Sequence, residues 1–309
     1  MPAPATGRPA VLLATVLLAV GLTSCATSPS IQRAASGGLI EVAASTNVWA
    51  SILSQLGGSH VRATAIISNP QTDPHAYEPT PADARTIARS RVFLENGTGY
   101  DPWAARIVAA SPDENRTVID VGRLVGVPGD GNPHHWYSPA DVSKVVAAIT
   151  AGLKNADPAD AGYFDSRRHA FETVDLGSYH RVIEEIRTGY AGTPVGASES
   201  IFAPLADALG LKLATPTGFL RAVSEGTDPS AGDKAASEAQ LEHRAVKVYV
   251  YNSQNATPDV TAQLAVAKRA GVPVVAVTET LHPAGASFQQ WQVSQLQALK
   301  SALAQASGR

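Results

Sequence analysis

Residues 69–81 read NPQTDPHAYEPTP: four prolines, two acidic residues and a single histidine, His75. Proline fixes φ, lacks an N–H and pushes the preceding residue toward extended backbone, so this stretch is neither regular helix nor inner strand. It reads as a stiff, ordered loop. Val61–Ser68 upstream is apolar-rich, and Pro81 is placed to open a helix over Ala82–Ser90. An apolar segment, a loop and a helix in that order are the repeating unit of an α/β fold. Ligands in such folds collect in loops beyond the carboxyl ends of the strands, where His75 would sit.

The unit recurs on both sides. Leu39–Ser45 (LIEVAAS) suits a buried strand and Val48–Leu56 a helix. A strand at Arg91–Glu95, a turn at Asn96–Gly99, a helix at Trp103–Ala110 and a strand at Thr117–Val121 follow the loop. Gly122–Asn132 is a glycine- and proline-rich loop, and Asp141–Lys154 is helical. Asp157-Pro158 then opens a long helical stretch to about Tyr190, with apolar and aromatic positions from Tyr163 to Ile186 at roughly helical spacing. About thirty helical residues span ~45 Å, enough to join two halves. Past Gly192 the alternation resumes, with strands at Pro194–Ala197, Leu211–Thr215, Val246–Asn252 and Val272–Val277. Helices are expected at Ile201–Leu209, Gly232–Arg244, Val260–Ala270 and Phe288–Ala306, with a polar loop running through Ser230. The expectation is an α/β protein of two similar lobes, over 39–154 and 191–309, each a mainly parallel sheet flanked by helices. One long rigid linking helix over 155–190 joins them.

Met1–Cys25 reads as an export signal: Arg8 supplies the positive start, Val11–Leu22 is apolar but too short to span a bilayer, and Leu22-Thr23-Ser24-Cys25 follows. A small residue before a cysteine at the end of such a run resembles the bacterial lipobox, which would make Cys25 a lipidated anchor. Cys25 is the only cysteine in the chain and so has no intramolecular disulfide partner. Ala26–Gly38, rich in Ser, Ala and Gly, reads as a flexible tether. The formal charge is −3, with no cluster of Lys and Arg, which argues against nucleic acid as a partner.

Four loops carry candidate metal ligands: His75 in DPHAYEP, His134 or His135 in NPHHWYSP, Glu199 in GASESIF and Glu279 in VTETLHP. Imidazole and carboxylate suit divalent zinc, manganese or iron, and thiolate is absent. Ligands from such distant loops can meet only between two folded lobes, so they predict an interdomain cleft. A lone glutamate in a strand-to-helix turn is otherwise most simply a cap. Asp73 and Glu78 flank the first histidine, where they would orient ligands from behind or cap the turn. His60, His169, His180 and His243 read as solvated surface. Trp291, on the last helix with Val293, Leu296 and Leu299, reads as core.

DPHAYEPTPAD, NPHHWYSP, SESIFAPLADALGL and YNSQ…GVPVVAVTET…WQVSQLQAL, in this order over nearly the whole mature chain, resemble the metal-binding lipoproteins of ABC transporters, the cluster A-I solute-binding proteins of zinc or manganese type. The resemblance implies two α/β lobes joined by one long rigid helix. It implies His75 as first ligand and His134 as second, the register being fixed by Trp136, with His135 a neighbour. Phe202, Ala206, Gly210 and Leu211 set the register that implies Glu199 as third, where many zinc members have histidine and manganese members glutamate. The fourth is usually aspartate; here Glu279 takes the place, with His282 a competitor.

Two nitrogens and two carboxylates move preference toward manganese or iron, yet zinc binds such a set more tightly. The Gly122–Asn132 loop lacks the histidines that several zinc members carry. The cargo expected is therefore one divalent ion, zinc or manganese, with iron as a further choice. The implied partners are the membrane permease and ATPase subunits of an importer, and the membrane itself through a lipid on Cys25. The chain is expected to act as a monomer, outside the cell membrane, and not as an enzyme. No G-x-x-x-x-G-K-[ST] loop is present for ATP, and neither H-E-x-x-H nor H-x-x-E-H supports the rival reading of a metal-dependent hydrolase. Gly196–Ser200 lacks the final glycine of a serine-hydrolase elbow. A surface adhesin is the third reading, and no residue pattern speaks for it.

Overall fold

β1 (Ile40–Thr46) runs directly into α1 (Asn47–Gly57), and the chain repeats this step throughout. Val42, Ala43 and Ala44 are all buried, as a parallel strand covered on both faces requires. The computed structural model describes residues 1–3, 38–70, 72, 74, 77–255 and 257–308. Cys25 and all but the first three residues of the expected signal lie outside the described residues, as do the expected tether up to residue 37, His75 and Asp73. Among the described residues no helix is long and apolar enough to cross a membrane.

β2 (Val61–Ile67) pairs with one side of β1, Ile40 opposite Val61, and β3 (Val92–Glu95) with the other. Between them α2 (Pro81–Arg89) starts on a capping box: Thr80 accepts from the Asp83 amide while the Asp83 carboxylate accepts from the Thr80 amide. After α3 (Pro102–Ala110), β4 (Thr117–Asp120) completes a parallel sheet of order β2-β1-β3-β4. The loop expected after it instead opens with a short helix, α4 (Val121–Val125). The Asp120 carboxylate caps it by accepting from the Arg123 N–H at 3.0 Å, and Gly126 stops it at φ +83°. α5 (Pro139–Ala156) closes the first lobe.

The expected linking helix is present as α6 (Ala161–Ala170), a π-helical turn (Phe171–Asp175) and α7 (Gly177–Tyr190), continuous but for Leu176, itself in helical conformation. Tyr179, Val182 and Ile186 line its buried face, and Phe171 is buried at the π turn. The second sheet repeats the first. β5 (Pro194–Ala197), β6 (Lys212–Leu213), β7 (Tyr249–Asn252) and β8 (Val274–Val277) are parallel, in the order β6-β5-β7-β8. α8 (Ala203–Ala208), α9 (Thr217–Ser224), α10 (Ala231–Glu242) and α11 (Pro258–Ala270) connect them. α9 replaces part of the expected polar loop. Its two turns are too short to show a period, but they bury Phe219, Leu220 and Val223.

α12 (Phe288–Ala306) returns to the first lobe. The Phe288 amide donates to Ser51 Oγ of α1 at 3.0 Å, Gln292 Nε2 to the Trp136 carbonyl at 3.1 Å, and Lys300 pairs with Glu185 of α7 at 2.7 Å. One hydrophobic cluster runs from Val42 to Leu303 and draws on both sheets, α7 and α12. Trp291 is buried within it, its Nε1 donating to Thr278 Oγ1 at 2.7 Å.

Candidate metal centre

His134 precedes the single helical turn His135–Tyr137, and its orientation is fixed by Asn132. Asn132 Oδ1 accepts the His134 backbone N–H at 3.1 Å and lies 2.7 Å from His134 Nδ1. Asn132 Nδ2 donates to the Ser200 carbonyl of the other lobe at 2.7 Å, so the amide can face the ring only with its oxygen. Nδ1 then carries the proton, and Nε2 keeps the lone pair that a metal needs. Trp136 packs edge-on against the ring at 5.4 Å and Tyr100 at 6.3 Å.

Glu199 follows β5 and is buried. Its Oε1 accepts from Asn252 Nδ2 and its Oε2 from Asn255 Nδ2, both at 2.6 Å. Glu279 follows β8, its Oε1 accepting from the same Asn252 amide at 2.9 Å and its Oε2 from the Tyr100 hydroxyl at 3.0 Å. Tyr100 comes from the first lobe, just after the Asn96–Gly99 turn. Gln254 Oε1 accepts the Glu279 backbone N–H at 2.8 Å and so sets the loop. One ligand atom each of His134, Glu199 and Glu279 lies within 4.8 Å of the others, a separation that a single cation can span.

Two carboxylates held this close in a buried place repel. Burial first, and then the neighbouring Glu279, push the Glu199 carboxyl well above its ordinary range, while the Asn252 and Asn255 amides pull it back. A divalent cation would relieve that repulsion, and the amides alone do not.

His135 turns away from the cluster. It is buried, with Nε2 3.0 Å from Thr98 Oγ1 and Nδ1 3.3 Å from Asp141 Oδ2, and burial lowers its pKa against the pull of Asp141. His282 is exposed and lines a separate cavity of about 360 Å³ with Pro70 and Ser253. Glu78 is exposed as well. A cavity of about 380 Å³ lies beside Glu279, between Pro70, Thr72 and Pro74 of the first lobe and Gln254, Asn255 and Ser224 of the second. It provides an approach from solvent. Sequence reasoning assigned no role to Tyr100, Asn132, Asn252 or Asn255. Asn132 and Asn252 do stand in the quoted segments, each a lone amide beside a candidate ligand or a strand end.

The sequence profile described as "ZnuA: Zinc-uptake complex component A periplasmic" matches residues 42–302. The chain belongs to this family. Among ZnuA-family relatives, the manganese-binding lipoprotein MntA of Halalkalibacterium halodurans is 27% identical over 137 residues, 43% of this chain and 45% of that protein. The manganese ABC transporter substrate-binding lipoprotein PsaA of Streptococcus pneumoniae is 26% identical over 167 residues, 50% of this chain and 53% of that protein. The chain thus spans about half the length of the curated relatives it matches. The manganese-bound periplasmic metal binding protein of Candidatus Liberibacter asiaticus superposes with a TM-score of 0.70 at 18% identity, over 85% of this chain and 98% of that one. FpvC of P. aeruginosa, in complex with a nickel ion, gives 0.69 at 22% identity, over 88% and 98%. These structures share this chain's fold.

Proposed function

We propose that this protein captures one divalent transition metal ion, zinc or manganese, between its lobes and delivers it to an ABC-type permease driven by a separate ATPase. The observation that carries the reading is the convergence of His134 from one lobe with Glu199 and Glu279 from the other, all within 4.8 Å. His75, which lies outside the described residues, is the fourth ligand of the proposal on the strength of the D-P-H sequence that carries it. Lipid on Cys25 holds the protein to the outer face of the membrane, where a monomer suffices, since one chain supplies every ligand. Manganese-binding relatives and an oxygen-rich donor set favour manganese, and the Irving–Williams order favours zinc. The chemistry required is affinity and release, with no bond made or broken in a substrate.

The metal-stripped protein, titrated calorimetrically with MnCl₂ and with ZnCl₂, tests this. A tight equivalent is expected, weakened more than about a hundredfold in Glu199→Ala, Glu279→Ala and His75→Ala. Tight binding that persists in Glu199→Ala overturns the cleft as the cargo site. Binding lost in the glutamate variants but intact in His75→Ala removes His75 from the set.

A further inference from the structure

Three more ligating side chains converge at the opposite edge of the first sheet. His60 ends the turn Gly58–His60 that leads into β2, so it sits at the amino end of that strand. The seven residues of β2, at ~3.3 Å each, put it about 20 Å from the cleft edge. Asp157 precedes and Asp160 ends the turn Pro158–Asp160 that starts the linking helix. One ligand atom from each of the three lies within 4.8 Å of the others. The reading of His60 as solvated surface is therefore corrected: it is partly buried and pre-positioned.

The geometry at His60 is not that of an ordinary ion pair. Its Nδ1 is 2.9 Å from Asp160 Oδ2, yet Nδ1 is buried and makes no hydrogen bond, because the carboxylate oxygen lies off the N–H axis. A ring nitrogen and a carboxylate oxygen side by side, with a second carboxylate within 4.8 Å, match the spacing of ligands around one cation. At ~2.1 Å from a shared ion and at right to tetrahedral angles, two ligand atoms stand about 3.0–3.4 Å apart. The ring is held for the purpose, stacked on Tyr163 at 4.0 Å and edge-on to Phe164 at 6.0 Å. The Tyr163 hydroxyl in turn accepts the Ser59 N–H at 3.1 Å. Asp157 is oriented by the Ala159 N–H, which donates to its Oδ1 at 3.2 Å, leaving Oδ2 for a ligand.

We propose that His60, Asp157 and Asp160 form a second divalent-cation site of zinc class, one imidazole and two carboxylates with water completing the shell. An ion here is structural and not cargo. It ties the α1–β2 turn to the start of the linking helix, where Arg167 already donates to the Gln55 carbonyl at 2.7 Å.

The test separates the two sites. ZnCl₂ is titrated into the protein, into a Glu199→Ala/Glu279→Ala variant and into an Asp157→Asn/Asp160→Asn variant, with His60→Gln as a milder second probe. Metal-free melting curves serve as the control for folding. The cleft-disabled variant is expected to keep one weaker zinc equivalent that raises its Tm, with nitrogen and oxygen scatterers at the zinc X-ray absorption edge. The Asp157→Asn/Asp160→Asn and His60→Gln variants are expected to lose that equivalent, or to weaken it at least tenfold, and to retain the cleft equivalent. No zinc in the cleft-disabled variant, or an equivalent indifferent to all three rear substitutions, overturns the proposal and leaves a plain His60–Asp160 ion pair. Failure of the cleft reading shows instead as unchanged binding in the Glu199→Ala/Glu279→Ala variant when the rear site is disabled in the same chain.

Discussion

Asn132 joins the two lobes through one amide: its oxygen takes two hydrogen bonds from His134 and its nitrogen gives one to Ser200. Asn132→Ala removes the group that sets both the orientation and the tautomer of His134. Manganese affinity, measured by calorimetry, is expected to fall about 10- to 100-fold with little change in metal-free Tm. Glu95 has a different consequence. Burial first, then Asp101 and Asp120, raise its carboxyl to about 7, and its Oε2 has no hydrogen-bond partner. A raised carboxyl holds its proton in the folded state after the unfolded chain has lost it. Stability therefore falls as pH rises from about 4.5 to 7, then levels off. Glu95→Gln is expected to stabilise by about 2 kcal/mol at pH 8 and by almost nothing at pH 4, read from urea unfolding at the two values. An equal gain at both would show that the charge is not the cause.

At the scale of elements, the turn between β3 and α3 positions Tyr100 against Glu279. Gly97 holds this turn at φ +69°, and a Cβ there would sit 2.2 Å from Asp120 Oδ1. Gly97→Ala is expected to cost more than about 1 kcal/mol and to weaken metal binding through the displaced Tyr100 hydroxyl, checked by melting and by titration. α12 is the second device. Leu296 is buried where this helix meets the shared core, and Leu296→Ala is expected to cost about 2–5 kcal/mol in urea unfolding.

Over the whole molecule, a single core continues from one sheet to the other, and α7 and α12 both cross between them. The lobes are therefore expected to unfold in one transition, by fluorescence and circular dichroism alike, and not as two domains. For the same reason a large hinge motion would break buried contacts. Small-angle scattering is expected to give the same radius of gyration with and without saturating MnCl₂, and a clear contraction would contradict this rigidity.

The strands and most helices were legible in the sequence because local pattern dictates them. LIEVAAS is a buried run, Pro81 opens a helix, and the prolines of residues 69–81 forbid regular structure. His134, Glu199 and Glu279 also stand out in the sequence, as histidine and glutamate in connecting loops, and the structure brings one ligand atom of each within 4.8 Å of the others. α4 and α9 were not legible, because helices of one or two turns have too few residues to show a period and are held by a cap or by burial of Phe219 and Val223. The choice of His134 over His135 illustrates the limit. The two are neighbours in sequence and identical in chemistry, yet one faces two carboxylates and the other is spent on Thr98 and Asp141. Sequence by itself determined the strands and the longer helices, the two parallel sheets and the kind of donor atoms. Only the tertiary structure decided which donors meet, and why the Asn252 amide lies between two glutamates 80 residues apart, since that depends on contacts between loops that no local spacing encodes.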